Sequence, residues 1–156
     1  MLSAFLGRTL PVLLLAVVSL IATGAVQAQE PSASEPDARL RSLSNALIEG
    51  LRDGDAQRLL DASADRVEIS LFGARTFYSQ AQAFYVVRDF FRDHPPQRFA
   101  LRDTMQADAS YFLTGRYWHT RTDQPLTVLI RMRRAEGSRA EGTWNVHEIR
   151  IEAERR

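Results

Sequence analysis

The sequence predicts an α+β fold, with helices in the first half of a single domain and an antiparallel sheet formed mainly by the second half. Two observations carry this. Apolar residues recur at helical spacing twice before residue 95, first at Leu40, Leu43, Leu47 and Leu51, then at Ala83, Phe84, Val86, Val87, Phe90 and Phe91. After the consecutive Pro95 and Pro96 the chain changes to strand-like segments separated by polar turns, and no further helical period follows. The length of 156 residues suits one domain, and 45% hydrophobic with 25% charged residues excludes collagen-like, coiled-coil and wholly disordered chains.

The elements follow in order. Met1 to Ile21 carries one cation, Arg8, then an apolar run from Leu10 to Ile21, and the segment ends on small residues at Ala25-Val26-Gln27-Ala28. Basic start, short apolar core and small-residue exit describe a secretory signal peptide over residues 1–28, cut after Ala28, because the core is shorter than the roughly 20 residues of a membrane span. No membrane span is expected after the cut, and the absence of cysteine excludes a lipid-anchored exit. The expected location is therefore periplasmic or extracellular. Residues 29–36 read as a polar, flexible leader, 37–152 as the domain and 153–156 as a charged tail. The leucine-spaced helix breaks at Gly54-Asp55, and a short helix runs through Leu59 and Leu60. Arg66 to Phe72 alternates at period two, Gly73-Ala74 turns, and Arg75 to Tyr78 completes a hairpin. Ser79 with Gln82 three residues on has the form of a capping box, so the most apolar helix starts there. Strands are expected over 98–105, 111–120, 126–134 and 144–152, paired in sequence.

Charge and residue usage narrow the function. Removing 28 residues takes Arg8 with them, so the formal net charge of +1 falls to zero. All 20 basic residues are arginine, yet 19 acidic residues are interleaved, so the arginines read as a solvated surface and no nucleic-acid partner is expected. Zero cysteine excludes disulfides, thiolate metal sites and thiol nucleophiles. His94, His119 and His147 form no local pair, so no metal is expected; no motif for a nucleotide or other cofactor is present, and none is expected. Asp89 with Asp93 and Arg88 with Arg92 place like charges together on a solvated helix surface.

Taken together, the stretch VEISLFGARTFYSQAQAFYVVRDFFRDHPPQRF, the segments GRYWH and WNVHEIRIE, and the element order resemble the nuclear transport factor 2-like superfamily. This is the cone-shaped α+β fold shared with ketosteroid isomerase and scytalone dehydratase. More narrowly, the chain resembles small exported bacterial proteins of that fold whose function is unassigned. The resemblance covers roughly residues 37–152 and implies a strongly curved antiparallel sheet around three helices, a pocket between sheet and long helix, and a homodimer through the outer sheet face. It carries no catalytic set onto this chain, and fold alone does not select a function.

The residues themselves supply candidates. Alternation puts Phe99, Leu101, Asp103 and Met105 on one face, so Asp103 is expected to face inward near Gly115, where a glycine opposite a carboxylate would leave room for a ligand. Asp103 is then the candidate base, with Tyr78, Tyr117 or His119 stabilising developing negative charge; Tyr85, Asp103, Gly115, Tyr117, His119 and His147 are the candidate lining of the cavity. A change of parity in the last strand calls for a bulge at His147-Glu148, which would turn His147 to the pocket mouth or to solvent. Glu68 and Ser70 read as surface residues. The opposite face of the sheet groups Phe112, Arg116, Trp118, Leu129 and Arg131, a residue mixture enriched at protein interfaces. The favoured reading is a non-catalytic module that binds a small apolar ligand or a protein partner; the alternative is a cofactor-independent isomerase or lyase inside the cone.

Overall fold

The computed structural model describes residues 35–135 and 143–154; the expected signal peptide and most of the leader lie outside them. Helix α1 (Glu35–Asp53) begins two residues ahead of the expected domain start and α2 (Ala56–Leu60) follows. Between them Gly54 adopts φ +69°, a left-handed turn that its missing Cβ permits, and the Asp55 N–H donates to the Gly50 carbonyl at 2.9 Å. The hairpin of β1 (Ser63–Leu71) and β2 (Ala74–Ser79) leads into α3 (Gln80–Asp93). That helix starts at Ser79, whose hydroxyl accepts from the Gln82 N–H at 3.4 Å while the Gln82 side chain accepts from the Ser79 N–H at 3.1 Å. Strands β3 (Pro96–Ala107), β4 (Ser110–His119), β5 (Thr122–Arg134) and β6 (Trp144–Ala153) complete the domain. No described helix is long and apolar enough to cross a membrane.

The six strands form one sheet in the order β2-β1-β6-β5-β4-β3. The expected all-antiparallel sheet is corrected at one junction: β1 and β6 run parallel, and every other pair is antiparallel. The last strand of the meander thereby receives the early hairpin on its free edge, and sequence-adjacent pairing alone does not place that contact. Bulges interrupt β3, the β4–β5 pairing and β6, and they curve the sheet. Its inner face meets the helices. Val67, Ile69, Leu113, Tyr117, Val128, Ile130, Met132, Val146, Ile149 and Ile151 are almost wholly buried there against Leu47, Leu51, Leu59, Val87, Phe90 and Phe91. Each such large side chain contributes about 1.5–3 kcal/mol relative to exposure.

Candidate functional site

Inside the cone, the glycine that was expected to leave space sits against an aromatic ring. A methyl built on Gly115 would lie 2.5 Å from Cε2 of Phe99 and closer still to Cζ, so the Phe99 ring occupies the volume. Tyr117 beside it has no exposed surface, and its hydroxyl donates to the His94 carbonyl at 2.6 Å. Burial raises the Tyr117 hydroxyl above its ordinary value, which keeps it a donor.

Asp103 is elsewhere, and the expectation that it faces inward is corrected. The pairing with β4 slips between Leu101 and Asp103, so Leu101 lies opposite Gly115 while Asp103 lies opposite Thr114 and Met105 opposite Phe112. One bulge residue turns the rest of β3 over, and Asp103 lands exposed on the outer face. Its carboxylate accepts from the next backbone N–H, that of Thr104, at 2.8 Å. Tyr78 pairs with Val67 on the inner side of the hairpin and is half-buried. The structure therefore does not bring Asp103, Tyr78 and His119 together as one acid-base set.

His119 belongs to an aromatic cluster that sequence reading did not assemble. His94 caps α3 and stacks on Phe90 with ring centres 4.8 Å apart, and the His119 ring meets it edge-on at 4.9 Å. Phe72 leans over His94 at 5.3 Å from the β1–β2 turn, where its φ of +51° is strained for a bulky residue. The backbone sets both tautomers. His94 Nδ1 lies 3.3 Å from the Phe90 carbonyl, an acceptor only, so Nδ1–H donates; His119 Nδ1 accepts the Arg121 N–H at 3.3 Å, so its proton sits on Nε2. Burial first, then His94 and Arg121, holds His119 below the ordinary imidazole value. No cluster of three or more metal-ligating side chains occurs among the described residues.

His147 is the extra residue of the bulge, since Glu148 pairs with Arg131 and Val146 with Met132. Half-buried, it lines a cavity of about 250 Å³ with Arg133, Arg134 and Ala135, and burial followed by Arg133 and Arg131 lowers its pKa. Tyr85 is 55% exposed on α3 and lines a cavity between α2 and α3, so it does not fill the cone.

The outer face is the more organised surface. Register alone lines up Phe77, Glu68, Glu148, Arg131, Phe112 and Met105 as one row crossing all six strands. Glu68 and Glu148 are neighbours across the parallel junction, and both are more than nine-tenths buried, which corrects the reading of Glu68 and Ser70 as surface residues. Arginines neutralise them. Arg75 Nε lies 2.6 Å from Glu68, while Arg150 and Arg131 hold the two oxygens of Glu148 at 2.6 and 3.2 Å. The guanidinium of Arg98 sits 3.8 Å over the Trp118 ring, and Arg116 pairs with Glu154. Phe112, Arg116, Trp118, Leu129 and Arg131 are all half-buried on this face, together as expected. The buried carboxylate pair was hidden in the sequence, because no pattern within β1 or β6 states that the two strands are neighbours.

A mixed, curved six-stranded sheet with its helices ahead of the meander defines a nuclear transport factor 2-like protein, and solved structures agree. A protein of that fold and unknown function from Shewanella baltica superposes with a TM-score of 0.57 at 12% identity, covering 81% of this chain and 100% of its own. A putative dehydratase of the same fold family from Streptomyces avermitilis gives 0.57 at 12% identity, covering 78% and 99%. Residues 44–152 match DUF4783, a domain of unknown function, and the chain belongs to that family. A DUF4783 protein from Bacteroides uniformis has a TM-score of 0.63 at 20% identity, with 72% of this chain and 97% of the other covered. No functionally curated protein matches the sequence.

Proposed function

We propose that the protein is an exported, non-catalytic interaction module that pairs with a second copy of itself through the outer face of its sheet. The observation that carries this is the transverse row. A two-fold axis through its polar centre would set Glu148 of one copy against Arg131 of the other, Glu68 against Phe112, and Phe77 against Met105, so opposite charges meet at the centre and apolar side chains meet at the ends. Met105 and Phe77 are each 55% exposed, and covering them is favourable. Export rests on the signal-like residues 1–28.

The competing reading, a cofactor-independent isomerase or lyase inside the cone, loses its base with Asp103 outside and its space with Phe99 against Gly115. Likeness to a putative dehydratase at 12% identity speaks for the fold only. Native mass spectrometry of protein recovered from its export compartment tests the proposal. A dimer beginning at Gln29, converted to monomer by Trp118→Ala or Phe112→Ala, supports it. A wild-type monomer throughout the micromolar range, at low and high salt alike, overturns it.

A further inference from the structure

A second site lies on the opposite side of the domain from the sheet's outer face, between α2 and α3, and it does not depend on dimerisation. A cavity of about 330 Å³ is lined by Gln57, Leu60, Gln80, Ala81, Phe84 and Tyr85, at the small end of the roughly 300–1,000 Å³ of small-ligand sites. None of the six is an acidic or basic residue, so the lining offers no counter-charge to an ionic occupant.

The polar groups are fixed in one sense. Gln57 Nε2 donates to the Asp61 carboxylate at 2.7 Å, and Gln80 Nε2 donates to the Leu60 carbonyl at 3.0 Å. Both partners are acceptors only, so the amide orientations are determined, and each glutamine is left with its Oε1 and its second Nε2–H as open functions. The site therefore offers both acceptors and donors and suits a ligand rich in hydroxyls, which are both. Its apolar side is equally fixed. Phe84 and Tyr85 meet edge-to-face at 5.4 Å, and the Arg88 guanidinium packs 4.8 Å from the Tyr85 ring centre, which holds that ring while leaving it 55% exposed. The capping box at Ser79 and Gln82 anchors the turn that carries Gln80 and Ala81.

We infer that this cavity binds a neutral polyhydroxyl ring of the saccharide class. Such a ring presents C–H groups on one side, which pack on an aromatic face, and hydroxyls at its edge, which donate to the glutamine oxygens and accept from the remaining glutamine N–H groups. An ionic ligand would find no counter-charge among the lining residues, and a purely apolar one would displace water from the exposed glutamine amides without replacing its hydrogen bonds.

The test is a two-dimensional amide NMR titration of the full mature domain with methyl β-glucopyranoside, cellobiose and, as an apolar probe of similar size, cyclohexanol. The expected result is saturable binding of a sugar probe near the millimolar range, with shifts centred on the Gln57 and Gln80 side-chain amides and on Tyr85. Tyr85→Leu, an exposed change that keeps the helix, should weaken it about tenfold, and Gln57→Met several-fold. Absence of saturation by either sugar up to about 50 mM, binding that Tyr85→Leu leaves intact, or cyclohexanol binding as tightly as the sugars would each overturn the inference. Dimer mass is unaffected by this site, so its failure and failure of the outer-face proposal are separately visible.

Discussion

Whether the cone is filled decides between a cavity protein and a surface protein, and Gly115→Ala measures it directly. The new methyl would sit 2.5 Å from Cε2 of Phe99 and 2.8 Å from the Ala100 carbonyl oxygen, and one of these neighbours is backbone within the sheet. Phe99 is 3% exposed, so its ring has packed atoms behind it. Overpacking of this kind costs about 1–3 kcal/mol, and the upper half of that range applies because a ring and a backbone atom must both give way. Replacing glycine within a strand returns about 0.5–1 kcal/mol through the unfolded chain, which leaves a net loss of about 1–2 kcal/mol. For a domain of this size each kcal/mol lowers the melting midpoint by about 4 °C, so the expected fall is about 4–8 °C. Urea unfolding followed by circular dichroism is the assay, with the Gly115→Ala/Phe99→Leu double variant closing a cycle. The two changes should couple favourably, because the smaller side chain vacates the volume the methyl needs. A neutral or stabilising Gly115→Ala would mean that the Phe99 ring moves freely into open space, and the cavity reading would return.

Three further outcomes follow from the same geometry. Glu148→Gln should destabilise by about 2–4 kcal/mol in urea unfolding at fixed protein concentration, because Arg131 and Arg150 lose a carboxylate that is 7% exposed; their own one-third exposure keeps the loss below the top of the buried-pair range. A loss under about 0.5 kcal/mol would show that water already screens the network. Tyr117→Phe removes the donor to the His94 carbonyl and should cost about 1–2 kcal/mol, with the fluorescence-detected urea midpoint as the readout and no change as the contrary result. The pH dependence has a definite sign: His119 and His147 have folded-state values below the unfolded one, so the unfolded chain binds more protons. Their contribution is full above about pH 6.5 and is lost as pH falls through the lowered folded values, so the urea midpoint should drop between about pH 7.5 and about pH 5 and drop less in His119→Asn. A midpoint that rises on acidification over that window contradicts the burial of these rings.

The capping box at Ser79 and the stop at Pro95-Pro96 were legible because each is a local event. Both depend on residues within one turn of the chain. The bulge at His147 was legible for a similar reason, since the parity of Val146 against Ile149 and Ile151 can be counted along one strand. The β3 bulge was not. Leu101 and Met105 preserve an apolar alternation straight through it, and both are exposed, so hydrophobic pattern did not report which way the second half of β3 turns. Asp103 was misplaced by that one residue. The parallel β1–β6 contact was hidden for a different reason: residues 69 and 149 are partners across almost the whole domain, and nothing in either strand encodes a partner so distant. Glu68 accordingly looked like a solvated residue unrelated to Glu148, whereas the fold makes the two neighbours about 4.8 Å apart in strand spacing.

The carboxylate pair also bears on why the proposed interaction surface is the outer face and not the cone. Burying Glu68 and Glu148 side by side is unfavourable for stability alone, since a well-packed apolar pair of similar size would serve a sheet face at least as well. Arginine compensates the charge, although Arg131 Nε meets Glu148 as an ion pair at 3.2 Å without hydrogen-bond geometry and Arg150 Nε makes no hydrogen bond. Both Nε atoms are buried, so a partner would meet only the exposed remainder of these guanidiniums, beside Phe112 and Leu129. On the inner face the Tyr117 hydroxyl is bonded, the Gly115 gap is filled and Asp103 is absent, while the buried Ser63 hydroxyl and Trp144 Nε1 have no hydrogen-bond partner. If the Glu148–Arg131 pair lies at the centre of the interface, Arg131→Met should weaken the dimer more than Arg133→Met, because Arg133 lies beyond the row that contains the buried carboxylates. Equal weakening in sedimentation velocity would reduce the contribution of the arginines to net charge, and would leave the aromatic ends of the row as the whole basis of recognition.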